Sequence, residues 1–198
     1  MISRVRFVAG MLALIWAVYL INFMVPIKLG VYPRDTGLLH LVGIFTSPLF
    51  HGSLGHIVSN SVPLAVLGFI FALRFELLSR AVLVSVLLIV CGNIGVWVFG
   101  GTGNHIGASG LIFAYFGYII AGVFSRSSFL SKLRDVALAG VTMSIYGFFI
   151  FSLLSVQDGI SWAGHAWGFA AGIILGTQHH RFNKEDTSYG SNTNLSGK

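Results

Sequence analysis

The chain has 198 residues, of which 55% are hydrophobic and only 9% charged, and its mean hydropathy is +0.84. Soluble domains carry about 25% charge, so an ordinary water-soluble fold is excluded. The net charge of +6 and pI of 9.8 would suit a nucleic-acid partner only if the basic residues formed a patch; here they punctuate apolar runs, which points to a lipid bilayer and away from nucleic acid.

A helix needs roughly 20 apolar residues to cross about 30 Å of hydrocarbon. The charge-free run from Phe7 to Ile27 is the first such segment. It is longer than the roughly 7–15 residues of a signal-peptide core, and no small-x-small cleavage site follows it, so it is expected to be a retained helix. The next run, Thr36 to Leu73, is predicted to be loop-like in its first half, where His40, Thr46, Pro48, His51, Gly52 and Gly55 interrupt it, and helical from about 52. The run from Ala81 to Ser125 is too long for one crossing and is broken by Gly100-Gly101-Thr102-Gly103-Asn104. The fold class predicted is therefore an all-α polytopic membrane protein with six helices, at about 7–27, 52–73, 81–99, 106–125, 136–156 and 161–178. These make one transmembrane domain over residues 1–180, followed by a Ser/Asn/Thr/Gly-rich tail, 181–198, expected to be disordered and cytoplasmic.

With the N-terminus inside, inner segments hold Arg4, Arg6, Arg74, Arg80, Arg126, Lys132, Arg134, Arg181, Lys184 and Lys198, against Lys28 and Arg34 outside. This positive-inside bias places both termini in the cytoplasm of a cell-membrane protein.

Intramembrane polar groups are costly and usually functional, and three clusters stand out. They are His51-Gly-Ser-Leu-Gly-His56-Ile-Val-Ser-Asn60 entering the second helix, Gly107-Ala-Ser109-Gly110 entering the fourth, and Gly164-His165-Ala-Trp-Gly168 entering the sixth. These helices all run from outside to inside, so the clusters share one outer depth. A serine hydroxyl becomes a useful nucleophile only beside a base, and His165 is a candidate base for Ser109. No Asp or Glu lies within a predicted helix core, so a Ser–His dyad is the economical assignment unless Asp158, on the preceding outer loop, folds over. His56 and Asn60, four apart on one helix face, are able to donate hydrogen bonds to an oxyanion together with backbone N–H groups at the start of the fourth helix. Gly164, Gly168, Gly172 and Gly176 form a small-residue ladder suited to close packing against the stripe of Ser109, Gly117 and Ala121. Phe113, one turn below Ser109, is placed to stack on the His165 imidazole, and Pro63 is expected to bend the second helix below Asn60.

These residues resemble the rhomboid intramembrane serine proteases. The pattern H-x4-H-x3-N, then G-x-S-G, then a late H-x2-G appears as His51/His56/Asn60, Gly107/Ser109/Gly110 and His165/Gly168, in the family's order, over about residues 40–178. The resemblance implies a six-helix bundle that cleaves transmembrane protein substrates near the outer face. It implies Ser109 as nucleophile, His165 as base and an oxyanion site from His56, Asn60 and the Ser109 N–H, with His51 supporting the rim. The chain departs from the family pattern in lacking a Trp-Arg pair in the first outer loop, in carrying Arg74-Phe75-Glu76 where a Glu-x-Arg arrangement is expected, and in having Phe113 in place of a tyrosine. No cofactor is expected: with a single cysteine, Cys91, and no H-E-x-x-H, no zinc ligand set remains.

Each feature also has a plainer reading. Ser109 is a natural N-cap, a histidine at a helix entrance is commonly interfacial, and the glycine ladder serves packing alone. His105 reads as loop-exposed, His179-His180 as cationic groups at the inner interface, and Phe148, Phe149 and Phe151 as lipid-facing. The competing function is a non-catalytic rhomboid-like protein that binds and escorts transmembrane segments; retention of both Ser109 and His165 weighs against it.

Overall fold

A computed structural model describes residues 1–150 and 161–182, apart from 28, 36, 126, 127 and 149. Apolar runs without internal backbone partners in lipid are forced into helices, and the described chain is all-α. The elements are α1 (Ile2–Met24), α2 (Leu38–Thr46) running into a 3-10 turn (Ser47–Leu49), α3 (Leu54–Leu73), α4 (Leu78–Phe99), α5 (Ser109–Ala121) with a second 3-10 turn (Gly122–Phe124), α6 (Phe129–Tyr146), α7 (Trp162–Thr177) and the short α8 (His179–Phe182). Three of them, α1, α3 and α4, with 23, 20 and 22 residues, are long and apolar enough to cross a bilayer. The protein is a polytopic membrane protein.

Several boundaries differ from the sequence expectation. Residues 38–46, expected as loop, form α2, because Leu41, Val42, Ile44 and Phe45 supply an apolar run that His40 does not interrupt; its ring sits instead on Asp35, Nδ1 to Oδ2 2.7 Å. Asp35 also accepts the Gly37 N–H, and the two contacts, the Gly37 one foremost, hold its carboxyl below the usual range. The fourth predicted helix starts at Ser109 rather than 106, since Gly107 takes a φ of +112° that no helix contains. The fifth starts earlier than predicted, at Phe129, and closes at Tyr146 on a Gly147 cap; of its expected continuation to 156, residues 149 and 151–156 lie outside the described residues, as do Phe149, Phe151, Asp158 and the 183–198 tail.

The interior is built around α5, whose residues from Leu111 to Ile119 are all buried. Its partner α7 lies against it backbone to backbone. A methyl group added at Gly168 would collide with the Gly110 carbonyl, one at Gly172 with the Ala114 carbonyl, and one at Gly176 would lie 2.6 Å from the Tyr118 carbonyl oxygen. From the other side, Gly117 leaves only 2.6 Å for such a group before the Phe169 carbonyl. Gly92 and Gly95 of α4 make similar room for Gly168 and the Trp167 ring. Small residues permit this approach, and dispersion between close-packed helices rewards it where lipid offers no hydrophobic drive.

One end of the bundle is held by basic residues on helix C-termini, where they complement the helix dipole. Arg4 donates from Nε to the Ala72 carbonyl at 3.1 Å and from Nη2 to the Phe75 carbonyl at 2.6 Å, tying the start of α1 to the end of α3. Lys132 donates to the Val123 and Ser125 carbonyls beyond α5. Arg74, with no exposed side chain, reaches Asp135 of α6 (Nη2 to Oδ2 3.0 Å) and donates from Nη1 to the Ile119 carbonyl at 2.9 Å. Gly122 is required beneath it, since a side chain there would enter the guanidinium. A carboxylate thus does lie inside a helix of the bundle, against expectation, because α6 begins early enough to include Asp135. His179 is also corrected. It is 3% exposed, shares a 2.8 Å hydrogen bond between Nδ1 and the Tyr118 hydroxyl, and is pushed down to about 3 by burial first and by the Arg74 charge second, so it is a neutral buried group and not an interfacial cation.

Removing one member of a buried ion pair strands the other charge. Asp135→Ala should therefore lower unfolding free energy in detergent by about 3–5 kcal/mol, whereas Arg74→Met with Asp135→Leu should lose much less; equal losses in the two variants, read from denaturation midpoints, would contradict the pairing.

Candidate active site

At the other end of the bundle, the starts of α3, α5 and α7 and the loop before α5 enclose a cavity of about 840 Å³. Ser53 caps α3 by accepting the His56 N–H at 3.1 Å, which fixes the first turn and sets His56 and Asn60 on its cavity face. Asn60 is 6% exposed, and its Nδ2 is buried without a hydrogen-bond partner among the described residues. Buried donors are rarely left in that state.

The entry to α5 is shaped by Gly107. Its N–H donates to the Ser47 carbonyl at 3.0 Å, and a side chain on it would lie 2.5 Å from His56 Nε2 and 3.6 Å from Asn60 Nδ2. The positive φ and the packing both require glycine there. Next, the Ala108 N–H donates to His51 Nε2 at 3.3 Å. His51 is 2% exposed and edge-on to His56, with ring centroids 5.0 Å apart. Burial first and His56 second push its pKa down to about 4, so the ring is neutral, as an accepting Nε2 demands. His51, expected on the rim, is not among the residues lining the cavity; it holds the start of α5 through the Ala108 N–H.

Ser109 is the first residue of α5, and the cap position belongs to Ala108, so the N-cap reading of this serine does not hold. His165 lies in the first turn of α7, 7% exposed, with Nδ1 unpartnered among the described residues. Phe113 stacks on its ring, with centroids 4.3 Å apart and planes at 22°, as the shared stripe with Ser109 predicted. Ser109 and His165 both line the cavity, and no direct hydrogen bond joins them among the described residues. Catalytic hydrogen bonds in unliganded sites are often long and tighten only around substrate. Gly168, one turn beyond His165, sits on the Gly110 carbonyl and so sets the closeness of the two helices just below the site.

Two features were missed in the sequence. Asp135 was excluded because the fifth helix was expected from 136, whereas α6 begins at Phe129. His105, read as loop-exposed, is half-buried and bonded on both ring nitrogens, Nδ1 to the Ser161 Oγ at 2.6 Å and Nε2 to the Gly101 carbonyl at 2.9 Å. The available signal was its spacing, four residues before Ser109 as Ser161 is four before His165. Among the described residues, no group of three or more His, Cys, Asp or Glu side chains is placed to share a metal ion.

The helical membrane fold and this convergence of three helix entrances define a class, and comparison with known proteins specifies it. Residues 38–182 match the Rhomboid domain family. An uncharacterized protein of Mycobacterium tuberculosis is 32% identical over 191 residues, covering 87% of this chain and 76% of the relative. Another, from Mycobacterium leprae, is 32% identical over 143 residues, covering 68% of this chain and 54% of the relative. The chain belongs to the rhomboid family of intramembrane proteases.

Proposed function

We propose that this protein is an intramembrane serine endopeptidase that cleaves transmembrane segments with a Ser109–His165 dyad. The observation that carries this reading is the meeting of Ser109, His165, His56 and Asn60, drawn from α5, α7 and α3, on one cavity, with a buried Asn60 donor that has no partner among the described residues.

In this mechanism a ring nitrogen of His165 takes the Ser109 hydroxyl proton as Oγ attacks the scissile carbonyl. The developing oxyanion accepts hydrogen bonds from Asn60, His56 and the Ser109 N–H at the start of α5, where the helix dipole adds to their effect. His165 then gives its proton to the leaving amine, and the acyl ester on Ser109 is released by water, whose proton returns through His165 to Oγ. The Phe113 ring keeps the imidazole in place during both transfers. Every group in this cycle belongs to the chain, and no cofactor is required. Asp158 lies outside the described residues.

The substrate class follows from location. The proposed bundle has six crossings within residues 1–180, the helices beyond α1, α3 and α4 being completed by α5, α6 and α7. Arg4, Arg74, Lys132 and Arg134 lie at the end opposite the cavity, so the positive-inside rule puts the cavity toward the outer face. Substrates are then membrane proteins whose transmembrane segment unwinds near that face, for which Gly and other weak helix formers suit it.

With purified protein and a single-pass substrate, Ser109→Ala and His165→Ala should each abolish cleavage without loss of folding, and the double variant should be no worse, since the pair acts as a unit. Asn60→Ala should lose roughly 10²–10³-fold, because His56 and the backbone donor remain. Cleavage by Ser109→Ala protein, with contaminating proteases excluded, would overturn the reading; binding of substrate without cleavage by the natural chain would favour an escort role. For topology, cysteines placed at Ser3 and Thr102 in a Cys91→Ala background should differ in intact cells, with an impermeant thiol reagent labelling only position 102. Labelling only at position 3 would mean that the cavity opens inward.

A further inference from the structure

We propose that His105 and Ser161 form a positioning latch that holds the Ser109 and His165 helix starts in register; this rests on the dyad reading above. Ser109 and His165 lie on different helices. The glycine contacts between α5 and α7 fix these helices below the site, from Gly110 and Gly168 inward. Above it, the two segments approach through the loop before α5 and the residue that caps α7, Ser161.

The latch is built at that point. Gly101 offers a carbonyl, which only accepts, so His105 Nε2 at 2.9 Å carries the hydrogen. In a neutral imidazole the other nitrogen then accepts, and the Ser161 hydroxyl donates to His105 Nδ1 across 2.6 Å. That leaves the Ser161 Oγ lone pairs free for the Gly164 N–H, which reaches it at 3.1 Å, while the Ser161 carbonyl accepts the His165 N–H at 3.2 Å. Ser161 therefore defines the first turn of α7, the turn that holds His165.

The His105 side is equally fixed. Its backbone exchanges two 2.9 Å hydrogen bonds with Val31, a fully buried residue, in the one isolated bridge found among the described residues. Gly30 lies so close to Asn104, Ile106 and the His105 carbonyl that no side chain fits there, and Gly43 of α2 is seated on the Gly30 carbonyl. The loop that leads into Ser109 is thus anchored to α2, and through one imidazole to α7. His105 and Ser161 both lie in the cavity wall, where solvent and substrate compete for their hydrogen bonds. Neither is assigned contact with the reacting atoms: both act through the helix starts they hold.

A displacement of about 1 Å between reacting groups costs on the order of 10²-fold in rate. In proteoliposomes of the full chain with a single-pass substrate, His105→Ala should lower kcat by roughly 10–100-fold, with KM and the thermal midpoint near those of the natural chain. His105→Asn, whose side-chain oxygen reaches the Nδ1 position, should recover most of kcat, and Ser161→Ala should add little to the loss in a His105→Ala background, as expected of coupled partners. Should His105→Ala fail to fold, His105→Phe keeps the ring volume and loses both nitrogens, and the same fall in kcat is expected. Full kcat in a folded His105→Ala or His105→Phe protein, alongside an inactive Ser109→Ala control, overturns the latch and leaves the dyad standing. An active Ser109→Ala control overturns both.

Discussion

The structure depends on the backbone contact between α5 and α7. Glycine at 168, 172 and 176 on one helix and at 110 and 117 on the other removes every side chain that would separate them, so two helices that lipid gives no hydrophobic reason to associate pack at close range. Side chains at their upper turns then share one space without reaching across a layer of intervening residues. Ser109 and His165 are the residues at those turns. The same closeness explains why α5 is buried along its length: it is surrounded by protein and does not need the full span of a lipid-facing helix.

The two ends of the bundle are built on opposite terms. At one, Arg4, Arg74 and Lys132 donate to carbonyls at helix C-termini, Arg74 pairs with Asp135, and Tyr118 bonds His179. A buried ion pair contributes little net stability but is destabilising when broken, so this end locks α3, α5 and α6 in a single arrangement. At the other end, polar side chains line an open cavity, and Asn60 Nδ2 and His165 Nδ1 lack hydrogen-bond partners among the described residues. In the proposed mechanism those donors and acceptors are the ones that substrate completes.

Much of this was legible in the sequence, and the physical reasons are specific. The charge-free runs and the glycine spacing report directly on lipid and on helix contact, so the helices at 2–24, 54–73, 78–99 and 162–177 lie close to their predicted ranges. The stacking of Phe113 on His165 followed from their places on facing stripes. What was hidden depends on tertiary partners. His51 lies in the loop as expected, but nothing local shows the Ala108 N–H that it accepts, whereas the Asp35 partner of His40 is only five residues away. Asp135 read as a boundary charge because its partner, Arg74, lies 61 residues earlier. His105 looked solvated for the same reason, since Ser161 approaches it from a distant segment.

The central claim is that Ser109 is a nucleophile activated by His165, and covalent trapping tests it most directly. A fluorophosphonate, which reacts only with an activated hydroxyl, should add to the purified protein in bilayers at one site, mapped by mass spectrometry to the peptide containing Ser109. The adduct should vanish in His165→Ala protein. An adduct on Ser161 or another serine, or undiminished Ser109 labelling without His165, would contradict the claim.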